Sequence, residues 1–132
     1  MSRVVITGLG LVSSIGNNVS ETWNNLIAGK SGIKKISSFD VSDLPCKIAG
    51  YISHNEKDEY YVDRSKYLET REINRNDRFI QYGLIASIMA VEDAGLMTLD
   101  DKSKLRVGVS VGSGIGGLET IYNGSITLNE KG

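Results

Sequence analysis

The chain has 132 residues, 40% of them hydrophobic and 23% charged, with a formal net charge of −1. This is the composition of one globular domain; it excludes a chain whose global field would attract nucleic acid or an anionic membrane. One cysteine and one histidine, Cys46 and His54, cannot close an internal disulfide or hold zinc by themselves.

Arg3 to Thr7 is a short β-branched run that reads as a buried strand of a parallel sheet, followed by a loop of small residues from Gly8 to Gly16. Asn18 is a helix cap with Glu21 at the third helical position, and Val19, Trp23, Leu26 and Ile27 then fall on one apolar face. Gly29 is the stop signal. Lys47 to Ile52 reads as one short strand, and Asp63 to Glu72 as a helical excursion on the surface. A long helix is predicted from about Asn76 to Ala94. It has an apolar stripe of Ile80, Leu84, Ile88 and Val91 and a small-residue stripe of Gly83, Ser87, Ala90 and Ala94, so a second backbone is expected to approach it closely. Gly95 ends it. Arg106 to Val111 reads as a second strand, followed by a glycine turn at 112–117 and a helix opening at Leu118. The order is that of an α/β protein. No run approaches the roughly 18 apolar residues needed to cross a bilayer, and no secretory pattern opens the chain, so a cytoplasmic location is expected.

Gly112, Gly114 and Gly117 fit the spacing of a dinucleotide-binding turn, after a strand and before a helix. The first strand-turn unit lacks that fingerprint, and no acidic residue closes a second strand where a ribose would need it. A tight turn that uses glycine for its backbone angles is the simpler reading. Lys47 beside Cys46 would favour a thiolate, but no structured elbow surrounds the thiol, and His54 lies in a polar run. Arg71, Arg75 and Arg78 fall at i, i+4 and i+7, a face suited to a phosphate or an acidic protein, although Glu69, Glu72 and Asp77 are interleaved.

The segments Val4–Gly10, Trp23–Ile33, Asp77–Gly83, Glu92–Leu96 and Gly112–Gly117, in this order and spacing, resemble the start of a β-ketoacyl-acyl-carrier-protein synthase of the elongating, type II kind. The resemblance implies a thiolase-like fold with αβαβα layers, of which residues 1–132 would be an incomplete N-terminal half, and a homodimer when complete. It implies decarboxylative condensation of an acyl thioester with malonyl-ACP through a nucleophilic Cys and two His residues. No metal or redox cofactor is implied, because the acyl groups arrive on the phosphopantetheine of the acyl carrier protein.

In that family the Cys lies downstream of the glycine turn and both His residues lie in the second half, so neither Cys46 nor His54 matches them and no catalytic residue is assigned. By position, Ile115 matches the residue at the end of the acyl pocket, and Arg71 and Arg75 match basic residues that dock the carrier protein. Asn74 stands where a further basic residue often sits. The alternatives are a nucleotide-binding module built on Gly112–Gly117 and a non-catalytic partner of another synthase chain. Half of a two-lobed fold would expose sheet edges and apolar helix faces, so the isolated chain is expected to fold poorly or associate.

Overall fold

In the computed structural model, which describes residues 3–53 and 55–132, the first helix starts at its predicted cap. Helix α1 spans Val19–Ile27. The Asn18 side chain accepts a hydrogen bond from Glu21 N at 2.9 Å, and the Glu21 carboxylate reaches back to Asn17 N at 2.6 Å, one residue before the cap. The helix ends on Gly29, whose φ of 68° is left-handed. Lys30 N donates to Asn25 O at 2.9 Å and Gly29 N to Leu26 O at 3.0 Å, the bond pair that closes a helix on such a glycine.

The face that α1 buries is not the apolar one expected. Thr22 and Asn25 are buried, through a Ser13–Thr22 hydroxyl pair at 3.0 Å and an Asn25 Nδ2 bond to Ile15 O at 2.6 Å. Trp23, Leu26 and Ile27 point outward, 60%, 58% and 67% exposed. The preceding loop holds α1 by polar bonds, and no apolar element covers its other side among the described residues.

The strand expected at 47–52 forms as β2, Ile48–Gly50, paired antiparallel with β1, Ile33–Lys35, in the register Ile33↔Gly50, Lys34↔Ala49, Lys35↔Ile48. No clear signal marks β1 in the sequence. The strands expected at Arg3–Thr7 and Arg106–Val111 join no sheet among the described residues. Val4, Ile6, Val109 and Val111 are 97%, 82%, 88% and 72% exposed. A β-branched run becomes a strand only when another backbone takes up its N–H and C=O groups. None among the described residues does so, and the layering of the complete thiolase-like fold is not seen in this part of it.

The helical excursion expected at 63–72 is two pieces: a 3-10 turn at Arg64–Lys66 and helix α2, Thr70–Arg75. Asn76 and Asp77, with ψ of 140° and 156°, break the chain before helix α3, Arg78–Asp93. Gly95, at φ 66°, terminates α3 as predicted. A 3-10 turn at Leu96–Thr98 and a short α4, Asp101–Lys104, follow, and α5 runs Leu118–Lys131.

Helix α3 presents three different faces. Ile85, fully buried, meets Val62 and Leu68 in the core, with Leu84, Ile88 and Met89 packed around them. The buried ridge thus runs through Gln81 and Ile85, one position on from the predicted stripe, and Ile80 is 37% exposed. Helical spacing defines the ridges; the partners decide which ridge is covered. Half of the small-residue stripe, Ala90 and Ala94, does meet a backbone, whereas a Cβ at Gly83 would meet nothing within 4 Å. A Cβ added at Gly8 would lie 2.6 Å from Ala94 N, and one at Gly10 would lie 2.8 Å from Ala90 N. Between them, Leu9 N donates to Asp93 Oδ2 at 2.9 Å. The third face, around Gly83, opens onto the groove described below.

The chain exposes 10441 Å², whereas a compact monomer of its 14.4 kDa mass would expose about 6,800 Å². Among the described residues the buried apolar side chains are Val41, Val62, Leu68 and Ile85, of which Ile85 alone is fully buried.

Candidate functional site

The glycine turn sits against the start of α3. Gly116 has a φ of 84°, which a side chain would strain, and a Cβ at Gly117 would fall on the Asp77 carboxyl group. At Gly112 and Gly114 an added Cβ would meet nothing within 4 Å. Ser113 Oγ accepts from Gly116 N at 3.1 Å and folds the turn on itself. Thr120 Oγ1 donates to Asp77, Arg78 Nε lies 3.9 Å from Glu119 Oε2, and the Phe79 ring comes within 3.7 Å of the Cβ position of Gly116. The turn and the first turn of α5 are therefore held by three consecutive residues at the head of α3.

Above this seam lies an open apolar groove of ≈ 440 Å³, walled by Phe79, Ile80, Gly83, Leu84 and Ser87 on one side and by Val111, Gly112 and Ser113 on the other. A small residue at position 83 gives the groove its depth. Ile115 lies on the same turn but is 72% exposed and is not a wall of the groove. The groove is lined mainly by apolar side chains and glycine. Asp77 and Glu119 place two carboxylates at the head of α5, where a pyrophosphate would have to approach.

Arg71 and Arg75 are exposed and lie four residues apart on α2, hence on one face. The expected three-arginine face is not formed: the break at Asn76–Asp77 puts Arg78 on α3, opposite Glu119. Each interleaved acid holds a hydrogen bond within the chain, and Glu69 and Glu72 stay exposed. Glu72 accepts from Glu69 N at 2.9 Å in a reciprocal capping box with Glu69, and Asp77 holds Thr120. Neither Arg71 nor Arg75 forms an ion pair with a described residue.

Cys46 is exposed, its thiol donating to Ile48 O at 3.3 Å. His54 lies outside the described residues. Among those described, no group of three metal-ligating side chains converges, and no helix is long and apolar enough to cross a membrane.

One residue that the sequence reading passed over organises this region. Gln81, 2% exposed, accepts from Arg64 Nη1 at 2.7 Å and donates through Nε2 to Ile73 O at 2.9 Å and Asn76 O at 2.6 Å. The available signal was a glutamine four residues before Ile85 on an otherwise apolar ridge.

An apolar groove beside a glycine turn, next to a surface helix that exposes two arginines, marks a mixed helix and strand protein. Residues 1–132 match the model of the β-ketoacyl synthase N-terminal domain along their whole length, and the chain belongs to that family. It is 42% identical over 130 residues to 3-oxoacyl-[acyl-carrier-protein] synthase 2 of Vibrio cholerae, covering 98% of this chain and 30% of that protein. It is 39% identical over 132 residues to the protein of the same name in Rhizobium meliloti, covering 100% and 31%. Among solved structures it is similar to the ishigamide ketosynthase/chain length factor, with a TM-score of 0.68 and 28% identity over 96% of this chain and 29% of that one. The chain spans about 30% of the length of the curated relatives it matches.

Proposed function

We propose that this chain supplies the carrier-docking helix and one wall of the acyl site of a 3-oxoacyl-ACP synthase. In the reaction, a Cys thiolate takes the acyl group and releases the carrier thiol. The malonyl thioester loses CO2, its α-carbon attacks the acyl carbonyl, the new C–C bond forms and the Cys thiolate leaves. Residues 1–132 contribute neither that Cys nor the two His residues, so the chain alone is inactive in this reading. The rest of a thiolase-like synthase, acting as a cytoplasmic homodimer, covers the surface left open around Arg3–Thr7 and Arg106–Val111. The substrate arrives on the phosphopantetheine of the carrier, with no metal or redox cofactor.

The observation that carries this reading is that Arg71 and Arg75 are exposed on one face of α2 and pair with no carboxylate of a described residue, which leaves both guanidinium groups open to an acidic partner. Carrier binding to the chain, measured by titration with holo-acyl carrier protein, is expected to fall with rising salt and to vanish in the double variant Arg71→Glu/Arg75→Glu. Binding that ignores both salt and charge reversal would remove the docking role. Ile115, on the turn beside the groove, is assigned to the distal end of the acyl pocket.

A further inference from the structure

Helix α2 has six residues, too few to hold itself in water, so its orientation is set from outside. Its N-terminal end is closed by the Glu69–Glu72 capping box. At its C-terminal end Glu72 O accepts from Asn76 N, but the Ile73 carbonyl finds no continuing helical N–H, because the chain turns extended at Asn76. The Gln81 amide provides that bond and a second one to Asn76 O, while its own oxygen is held by Arg64 from the preceding 3-10 turn. One buried amide thus joins the 3-10 turn, the end of α2 and the first turn of α3.

We propose that Gln81, held by Arg64, is the positioning residue of the carrier-docking surface: it fixes the direction in which α2 presents Arg71 and Arg75. This inference rests on the docking reading above. A charged pair on a short helix recognises a partner only if its direction is fixed before contact; otherwise the partner must supply the ordering. An apolar side chain at 81 would pack equally well against Ile85 yet leave the end of α2 untied. The polar residue is therefore explained by what it holds and not by what it fills.

The test compares the 132-residue chain with its Gln81→Glu and Arg64→Met variants by titration with holo-acyl carrier protein and by amide hydrogen exchange. Gln81→Glu keeps an acceptor for Arg64 and removes both donors to α2. Its Kd for the carrier is expected to rise about tenfold, with faster exchange at Ile73 and Asn76 and unchanged protection at Ile85 and Met89. Arg64→Met is expected to move both readouts in the same direction, and it decides the matter alone if Gln81→Glu fails to fold. A parental Kd in the folded variants, or loosening of α2 and α3 together, would overturn the positioning role. A parental Kd in Arg71→Glu/Arg75→Glu would instead reject the docking reading itself, so the two failures are distinguishable.

Discussion

Arg64 Nη1 lies 2.7 Å from Gln81 Oε1, and this bond joins a surface turn to the most buried polar side chain of the long helix. The same amide donates to Ile73 O and Asn76 O. Replacing Gln81 with Leu would strand a guanidinium N–H and two carbonyls at once. The expected loss of stability is about 2–5 kcal/mol, read from urea unfolding. Arg64→Met, which strands only one acceptor, is expected to cost less. Equal and negligible costs would show that water replaces these bonds freely.

Two sets of glycines are expected to behave differently. Gly10 stands where an added Cβ would strike the backbone of α3 at Ala86 and Ala90. Gly10→Ala is expected to destabilise the chain by about 1–3 kcal/mol. Gly114→Ala, with nothing within 4 Å, is expected to stay within about 0.5 kcal/mol. Thermal unfolding of the two variants side by side checks the contrast, and a reversed order would mean that the N-terminal segment does not lie on α3.

Ile115 is mostly exposed here, so Ile115→Phe should leave the stability of the chain unchanged. Its effect should show in a hybrid synthase in which residues 1–132 replace the matching 30% of the Vibrio cholerae relative. There the larger side chain is expected to shorten the longest acyl group accepted, measured as kcat/KM across a chain-length series. An unaltered profile in an active hybrid would take the residue out of the acyl pocket.

Asp100 caps α4: its carboxylate accepts from Ser103 N at 2.9 Å and Ser103 Oγ at 2.8 Å. These bonds, the backbone one first, hold the carboxyl below its ordinary value of 3.8. A carboxyl whose folded value is depressed stabilises the fold above its unfolded value, and that contribution disappears as pH falls through the folded value. The α4 cap is therefore expected to be intact at neutral pH and to fray only below pH 3.8. A carboxyl-carbon NMR titration of Asp100 checks this, with a midpoint at or above 3.8 counting against the cap.

The valines of the two unpaired runs are expected to make the chain associate. Val4 and Val109 are 97% and 88% exposed. Sedimentation is expected to show concentration-dependent association, reduced by Val4→Lys/Val109→Lys without loss of stability. A parent chain that stays monomeric at high concentration would contradict this.

Local chemistry was readable from the sequence alone. Asn18 with Glu21, Gly29 and Gly95 follow from capping rules that act within a few residues, and the structure keeps each of them. Ala90 and Ala94 of the small-residue stripe on α3 announced a close backbone, although Gly83 did not meet one, and the family was legible in the order and spacing of five short segments. Tertiary contact decided the rest, because the answer lay in a distant partner. It set which ridge of α3 is buried, turned α1 polar side in, broke the arginine stripe at Asn76, and gave Gln81 three bonds from separate elements. The valine runs mark the boundary between the two. Their side chains state a preference for a sheet, but a strand needs another backbone to hydrogen-bond, and residues 3–53 and 55–132 do not provide one.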